Sequence, residues 1–264
     1  MASYDFRQPR LYLDSPLRAG AEVALDRDAA NYLRNVLRLK AGDGILAFNG
    51  RDGEWQAALA AGGKRSAALV VGEQMRPQLA PADLHYIFAP IKHARLDYMV
   101  QKAVELGASK LQPVITRHTQ VARVNVERMR ANAIEAAQQC GILALPEIAE
   151  PAPFAAMLAR LAAERLLVFC DEEAEVKDPV TALDQGREPP SALVPVAAQR
   201  GAPLAVLIGP EGGFSDDERK ALLARSNTLR LSLGPRILRA DTAAVAALTL
   251  VQAVLGDWRA ADST

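Results

Sequence analysis

The sequence predicts a two-domain fold, in which a small, mostly β unit of residues 1–75 precedes an α/β domain of residues 76–264 with a mostly parallel sheet. Half of the 264 residues are apolar, which is enough for the cores of two domains. Short apolar segments separated by turn formers occupy the first part of the chain. Strand-like and helix-like segments then alternate to the end, which is typical of a parallel sheet covered by helices. Pro77 and Pro81 indicate a linker at Met75–Asp83.

The first unit is predicted to be a small barrel of five strands and one helix. Apolar residues at Leu33, Val36, Leu37 and Leu39 predict a single amphipathic helix over Asp28–Leu39. Turn formers at 49–53 predict a hairpin loop. The predicted strands are Arg10–Leu13, Ala21–Leu25, Ile45–Phe48, Glu54–Ala58 and Arg65–Val71.

The second unit is predicted to alternate five strands with five helices. The predicted strands are Leu84–Pro90, Leu111–Ile115, Leu166–Cys170, Leu204–Ile208 and Leu229–Leu233. The predicted helices are Arg95–Leu106, Asn125–Cys140, Pro153–Ala163, Asp216–Ser226 and Thr242–Leu255. The proline-rich span Lys177–Pro203 has no strong periodicity, so we expect a long surface connection there.

The overall charge does not favour a nucleic-acid partner, but the distribution of charge along the chain is compatible with one. The net charge is zero, with 31 acidic and 31 basic residues, whereas RNA binding needs positive charge at the contact. Met1–Lys40 carries seven basic against five acidic residues, and His85–Cys140 carries eight against four. Gly141–Pro190 reverses this balance, with four against ten. The pattern indicates either a basic and an acidic side of the molecule or ordinary solvated faces.

The remaining bulk features exclude several classes of protein. Residues 1–10 are polar and no apolar run reaches membrane-spanning length, so we expect a cytoplasmic protein without a membrane partner. Cys140 and Cys170 are far apart and the chain has only three histidines, so neither a disulfide framework nor a metal site is indicated. Both cysteines are expected to be core thiols.

Two loops carry most of the functional information. Leu207–Ser215 reads LIGPEGGFS and Leu233–Thr242 reads LGPRILRADT, and each follows a predicted strand and precedes a helix. Glycine allows the backbone to approach a ligand closely, and loops at the same ends of neighbouring parallel strands outline a ligand crevice. Ser215 and Glu218 fit a capping box. The alternative is a pair of tight strand-to-helix turns with no ligand.

These loops are not a familiar phosphate site. The chain lacks the glycine spacing of a dinucleotide-binding loop and the lysine of a P-loop at this point, and Pro210 removes an amide donor. The loops instead resemble those of the SPOUT class of S-adenosylmethionine-dependent RNA methyltransferases. The most similar family methylates N3 of a uridine in bacterial 16S ribosomal RNA. Its two pocket loops read L-I-G-P-E-G-G and L-G-x-R-[IV]-L-R-x-[ED]-T-A.

The resemblance implies a fold, a cofactor and partners. Residues 1–75 would form a PUA-like RNA-binding barrel, and 76–264 a SPOUT methyltransferase domain with a C-terminal trefoil knot. The cofactor would be S-adenosylmethionine and the substrate 16S rRNA in the 30S subunit, with no metal. A homodimer is also implied. The alanine-rich segment 243–248 allows close helix approach in such a dimer, or it packs on the sheet, or both.

A sulfonium cofactor needs backbone groups and apolar walls more than charged side chains. The residues predicted to provide them are Cys170, Ile208, Gly209, Gly212, Leu233, Gly234, Ile237 and Leu238. Arg239 and Asp241 are the candidate catalytic residues, with Arg239 orienting the target uracil and Asp241 accepting its proton. Asp241 could equally be a helix N-cap. Glu211 is expected to cap nearby amides rather than to act in catalysis.

Basic residues in both units are predicted to bind RNA. These are Arg7, Arg10, Arg34, Arg38, Lys92, Lys102 and Arg117. Arg34 and Arg38 would lie one helical turn apart, and Lys102 would share a helix face with Glu105. His93 and His118 are expected to be RNA-facing or incidental rather than metal ligands. Gln138 and Ile142 stand where the family has an acid and an arginine, which indicates a replaced ion pair or altered RNA contacts.

Two other functions compete with uridine-N3 methylation of 16S rRNA. One is methylation of another RNA, such as a tRNA or 23S rRNA. The other is a non-catalytic RNA-binding or ribosome-assembly role. Both glycine loops are intact, which favours an enzyme because a protein without a cofactor does not need them.

Overall fold

The computed structural model describes residues 8–61, 67–121, 123–175, 178–185 and 202–258. Arg7 lies outside these residues. The chain divides into two compact units, one of residues 1–80 together with 134–145 and one of residues 81–133 together with 146–264. Residues 134–145, which the sequence pattern placed in the α/β domain, therefore group with the first unit.

The first unit is built on a five-stranded sheet in the order β1-β3-β4-β5-β2. Strands β1 and β3 are parallel and the other neighbours are antiparallel. Its core contains Leu11, Leu33, Ile45, Leu69 and Val71. Strand β5 continues to Arg76, into the segment predicted as linker. The strands are β1 Arg10–Tyr12, β2 Glu22–Ala24, β3 Gly44–Phe48, β4 Glu54–Leu59 and β5 Ala68–Arg76.

The predicted single helix over Asp28–Leu39 is wrong in its second half. Helix α1 covers Arg27–Asn31, and one π-helical turn follows at Tyr32–Val36. The Leu37 backbone N–H donates to the Tyr32 carbonyl, and the chain then leaves the helix. Arg38 has a φ of 57°, in the left-handed region. Arg34 and Arg38 are therefore not stacked on one helix face.

The second unit is an α/β domain with a parallel sheet, as predicted. Its strands are β6 Leu84–Phe88, β7 Lys110–Ile115, β8 Glu147–Ile148, β9 Ala152–Pro153, β10 Leu166–Cys170, β11 Leu204–Ile208 and β12 Thr228–Leu231. Its helices are α2 His93–Glu105, α3 Val126–Cys140 (which ends in the segment grouped with the first unit), α4 Phe154–Arg160, α5 Pro179–Gln185, α6 Asp216–Leu223 and α7 Ala240–Val254. Helix α5 corrects the expectation that the whole span Lys177–Pro203 is a surface connection. Residues 186–201 of that span lie outside the described part of the chain.

The order of the strands creates a switch point at β10. The sheet runs β12-β10-β11-β6-β7-β8, with β9 paired to β7, and every pair is parallel. Strand β11 lies on one side of β10 and β12 lies on the other. Open parallel sheets bind ligands outside the carboxyl ends of strands at such a point. The trefoil knot stays a prediction.

A buried glutamine joins the carboxyl ends of helices α2 and α7. The Gln252 side chain on α7 donates from Nε2 to the Leu106 carbonyl at the end of α2, at 2.7 Å. Its Oε1 accepts from the Asp257 backbone, at 3.1 Å. Met99, Ala103, Ala247 and Val251 are buried on these helices. Helices α2 and α7 are therefore firmly anchored.

The structure also bears on the cysteines, on membrane-spanning helices and on clusters of metal-ligating side chains. Cys140 is exposed, so the prediction that both cysteines are core thiols is wrong for this residue. Within the described residues, no helix has the length and apolar character needed to cross a membrane. The same part of the chain holds no cluster of three or more metal-ligating side chains.

Candidate active site

A cavity of about 340 Å³ opens at the carboxyl ends of β10, β11 and β12. This volume is in the range of small-molecule sites. It brings together seven of the eight residues predicted to bind the cofactor: Cys170, Ile208, Gly209, Leu233, Gly234, Ile237 and Leu238. Gly212 is not among the lining residues. The two loops predicted from sequence therefore form one site with the end of β10.

The loop after β11 is held in shape by its neighbours. A Cβ added at Gly209 would lie 2.5 Å from the Phe214 ring, so only glycine fits there. The Ser215–Glu218 capping box predicted from sequence is confirmed at the start of α6. His118 donates from Nδ1 to the carbonyls of Gly212 and Gly213, at 3.1 and 3.2 Å. These contacts preorganise the loop for a ligand.

The surroundings of Gly212 differ from those of the other predicted cofactor-binding residues. A Cβ at Gly212 would lie 3.2 Å from the Cβ of His118, on the loop that follows β7. Gly212 therefore lies against a neighbouring loop and does not line the cavity. His118, which was expected to face RNA or to have no particular role, therefore supports the loop after β11.

The loop after β12 is open towards solvent. Gly234 has a φ of 103°, and a Cβ there would meet no atom of the described residues within 4 Å. Ile237 is 89% exposed although it lines the cavity. Arg239 is exposed and lines the cavity, and among the described residues its side chain has no hydrogen-bond or ion-pair partner.

Asp241 is not the N-cap of α7. The N-cap is Arg239, which has no side-chain cap bond, and Asp241 lies in the first turn. Its Oδ1 accepts from the Thr242 backbone at 3.0 Å, and its side chain is 18% exposed. The capping alternative is therefore wrong.

Arg95 was not predicted from sequence as part of the site. Its Nη1 donates to Glu211 Oε1 at 3.0 Å, and its Nε lies 3.9 Å from Asp241 Oδ2. Glu211 thus contacts a guanidinium instead of the amides it was expected to cap. The available signal was a basic residue at the start of the helix after β6, three positions beyond Lys92.

The end of β10 also has a charged support that the sequence pattern did not reveal. The buried Asp171 carboxylate pairs with Arg219 at 2.8 Å and with Arg230 at 2.5 Å. Arg219 also reaches Glu173 at 2.7 Å. Next to this group, burial raises the pKa of the Cys170 thiol to about 12. Cys170 therefore stays a neutral thiol and serves as a wall of the cavity, not as a nucleophile.

Arg10 has a structural role in place of the predicted RNA contact. It is 7% exposed, and its Nε pairs with Glu54 at 2.6 Å. Its guanidinium also donates to the carbonyls of Ala137, Gln138 and Ile142. Gln138 in turn accepts from the Tyr12 backbone at 2.8 Å. Gln138 and Ile142, the two positions that depart from the family pattern, thus bind residues of β1 in the first unit.

We predict that Arg10→Met destabilises the protein without removing an RNA contact. Glu54 is 1% exposed, and among the described residues the substitution leaves it Arg76, at 2.7 Å, as its one charged partner. Breaking a buried pair costs about 3–5 kcal/mol, and the remaining arginine puts the expected loss at the lower end. Urea unfolding measures it. RNA affinity of the folded variant should stay unchanged, and an RNA defect with normal stability would contradict the structural role.

The other candidate RNA-binding residues have different surroundings. Lys92 and Arg117 are exposed after the ends of β6 and β7, on the same edge of the sheet as the cavity. Lys102 pairs with Glu105 at 2.7 Å. In the first unit, Arg38 is exposed and Arg34 is partly buried. The exposed positions of Lys92, Arg117 and Arg38 and the partly exposed position of Arg34 are compatible with a phosphate contact.

Comparisons with known proteins identify the class. A family model described as an RNA methyltransferase domain matches residues 78–252, and one described as an RNA methyltransferase PUA domain matches residues 25–72. The chain belongs to this RNA methyltransferase family. The predicted fold class, an α/β methyltransferase domain preceded by a PUA-like domain, is therefore confirmed.

Individual relatives carry a more specific name. A protein of Rickettsia conorii named Ribosomal RNA small subunit methyltransferase E is 31% identical over 92% of this chain and 94% of its own length. The enzyme of that name from Neisseria gonorrhoeae, solved with bound S-adenosylmethionine, is 26% identical with a TM-score of 0.79 over 96% of this chain and all of its own. A methyltransferase of Legionella pneumophila, solved with the same cofactor, is 28% identical with a TM-score of 0.77 over 95% and 98%.

Proposed function

We propose that the protein transfers a methyl group from S-adenosylmethionine to N3 of a uridine in 16S ribosomal RNA. The observation that carries this proposal is the cavity between the two glycine-containing loops at the switch point of the sheet. The names of the relatives from R. conorii and N. gonorrhoeae support the small-subunit rRNA as substrate, and the solved relatives support the cofactor.

The residues of the cavity suit S-adenosylmethionine. Ile208, Leu233 and Leu238 offer apolar surface for an adenine, and Gly209 and Gly234 leave the backbone accessible. The exposed carboxylate of Glu172 also lines the cavity and favours a cationic ligand. When bound, the cofactor supplies an activated methyl group on a sulfonium centre. The task of the protein is to hold the accepting nitrogen about 3–3.5 Å from that methyl group.

Arg239 and Asp241 are the residues proposed to act on the uracil. The Arg239 guanidinium presents a planar fork of donors at the mouth of the cavity, which would hold a uracil oxygen or an adjacent phosphate in one orientation. Asp241, two residues further on, would accept the N3 proton as the new bond forms. A positioned base of this kind contributes on the order of 10² to 10⁴ in rate.

A transfer assay tests the proposal against its alternatives. The purified protein is incubated with methyl-labelled S-adenosylmethionine and, separately, with unmodified 30S subunits, 50S subunits and tRNA. We expect label in 16S rRNA alone. Label in tRNA or 23S rRNA would instead support an enzyme with another target. Cofactor binding without transfer to any RNA would support a non-catalytic role.

We also propose RNA contacts from Arg34 and Arg38 in the first unit. If each contacts one phosphate, replacing both with alanine lowers the slope of log affinity against log salt by roughly 1.5, since each phosphate contact contributes about 0.7–0.9. Fluorescence anisotropy with a 16S fragment at several salt concentrations measures this slope. Cofactor affinity serves as the control and should not change. An unaltered slope would place the footprint elsewhere on the protein.

The homodimer and the assembled 30S substrate are further parts of the proposal. On α7, Ala244 and Ala247 are buried within the second unit, which supports the expected packing on the sheet. Ala243, Val245 and Ala246 are only partly buried and remain available to a second copy. The small-residue surface of α7 could thus serve both kinds of packing.

A further inference from the structure

The arrangement around Arg95 links two loops that are separate in sequence. Glu211 belongs to the loop after β11, and Asp241 follows the loop after β12. The Arg95 guanidinium donates to Glu211 Oε1 at 3.0 Å through Nη1 and places Nε 3.9 Å from Asp241 Oδ2. One cation on α2 therefore lies between two carboxylates, that of Glu211, which lines the cavity, and that of Asp241, in the first turn of α7 beside the lining residues Arg239 and Ala240.

Helix α2, which carries Arg95, is held firmly in the domain. Helix α2 follows β6, which pairs directly with β11, and the buried residues Met99 and Ala103 hold the helix in the core. The hydrogen bond from Gln252 to Leu106 ties the far end of α2 to α7. Arg95 thus extends from a fixed element towards Glu211 in the loop after β11 and Asp241 in the first turn of α7.

The solvent exposure of Arg95 and Glu211 indicates that their ion pair does little to stabilise the folded protein. The side chains of Arg95 and Glu211 are 38% and 48% exposed. Ion pairs at this level of exposure contribute little to folding, because solvent screens them and two long side chains must be ordered. The loop after β11 also keeps its shape through His118 and the capping box. What Arg95 adds is the orientation of Asp241 relative to that loop.

We propose that Arg95 is a positioning residue that orients the Asp241 carboxylate and joins the two loops of the active site. This inference rests on the proposed function, in which Asp241 accepts the uracil proton. In this role Arg95, which is not among the residues that line the cavity, acts through Asp241 and not on the uracil itself. Without the Arg95 guanidinium, the carboxylate can rotate away from the position that proton transfer needs. A misplacement of about 1 Å costs about 10²-fold in rate.

The kinetic test is a double-mutant cycle. Arg95→Ala should lower kcat on 30S subunits by about 10²-fold, with the KM for RNA and the affinity for S-adenosylmethionine within a few-fold of wild type. In an Asp241→Asn background the same substitution should cost less than about threefold, because residues that act as a unit are not additive. Arg95→Lys should restore part of the rate. Equal losses in both backgrounds would overturn the proposal, as would a raised KM for RNA with normal kcat.

A second readout does not depend on activity. Amide hydrogen exchange at 211–213 and at 240–243 should be faster in Arg95→Ala than in wild type. Arg130→Ala is the matched control, because Arg130 is a surface arginine whose partner is Glu127, three residues away on α3. Unchanged exchange in either segment refutes the link between the loops even if the wild-type protein methylates no RNA. Wild-type inactivity with faster exchange would instead contradict the proposed function alone.

Discussion

Asp241→Asn should lower methyl transfer by a factor on the order of 10² to 10⁴ while leaving the fold and cofactor affinity intact. The amide oxygen of asparagine can still accept the bond that Asp241 Oδ1 receives from the Thr242 backbone, at 3.0 Å. What the variant loses is a group able to take a proton. Single-turnover kinetics with 30S subunits and excess S-adenosylmethionine measure this step directly.

The chain offers a close control for this substitution. Asp217 is the second residue of α6, as Asp241 is the second residue of α7, so both carboxylates face the positive end of a helix. Asp217→Asn removes the same favourable interaction with the helix dipole, about 0.3–1 kcal/mol, at an exposed position away from the cavity. Its transfer rate should be normal. If Asp241→Asn is as active as Asp217→Asn, the proton leaves by another route and Asp241 is not the base.

Gly234→Val should abolish S-adenosylmethionine binding in a protein that remains folded. Gly234 has a φ of 103°, where a β-branched residue is strained. A Cβ there meets no described atom within 4 Å, so the added side chain projects into open space in a residue that lines the cavity. Relief of the strain moves the loop, and the side chain takes up room that the cofactor needs. Titration calorimetry should show at least a 10²-fold weaker affinity, equivalent to about 2.7 kcal/mol.

Gly42→Val separates backbone strain from loss of the site. Gly42 has a φ of 90° and also has no described atom within 4 Å of an added Cβ, but it lies in the first unit. The strain is similar and the cofactor should bind normally. Gly209 is a poorer test, since its added Cβ would first collide with the Phe214 ring at 2.5 Å. Normal binding by folded Gly234→Val would show that the cofactor lies elsewhere.

The fold was predictable wherever periodicity and turn chemistry act locally. Strands β10 and β11 match their predicted ranges, since each is a continuous apolar run with turn formers beyond it. The π-helical turn at Tyr32–Val36 escaped prediction because it retains the apolar spacing of a helix while widening its hydrogen bonds. Helix α5 escaped because its short segment, Pro179–Gln185, buries only Leu183.

The site was predictable where backbone conformation determines residue type. Gly209 packs closely against Phe214, Gly234 has a left-handed backbone, and both line the cavity. Side chains that act across long distances in sequence were not predictable. Arg95 pairs with residues more than a hundred positions away, and Asp171 is surrounded by arginines from two other elements. Arg10 was predicted to bind RNA from its charge and position in sequence, but its side chain is buried and paired with Glu54.

Nucleoside mass spectrometry of ribosomal RNA tests the central claim most directly. 16S and 23S rRNA are isolated from a strain that lacks the protein, from the same strain with the wild-type gene restored, and from one expressing Asp241→Asn. We expect 3-methyluridine to disappear from 16S rRNA in the deletion strain, to return with the wild-type chain, and to stay absent or low with the variant. Unchanged 3-methyluridine in 16S rRNA of the deletion strain, or loss of a different methylated nucleoside from another RNA, would contradict the proposed function.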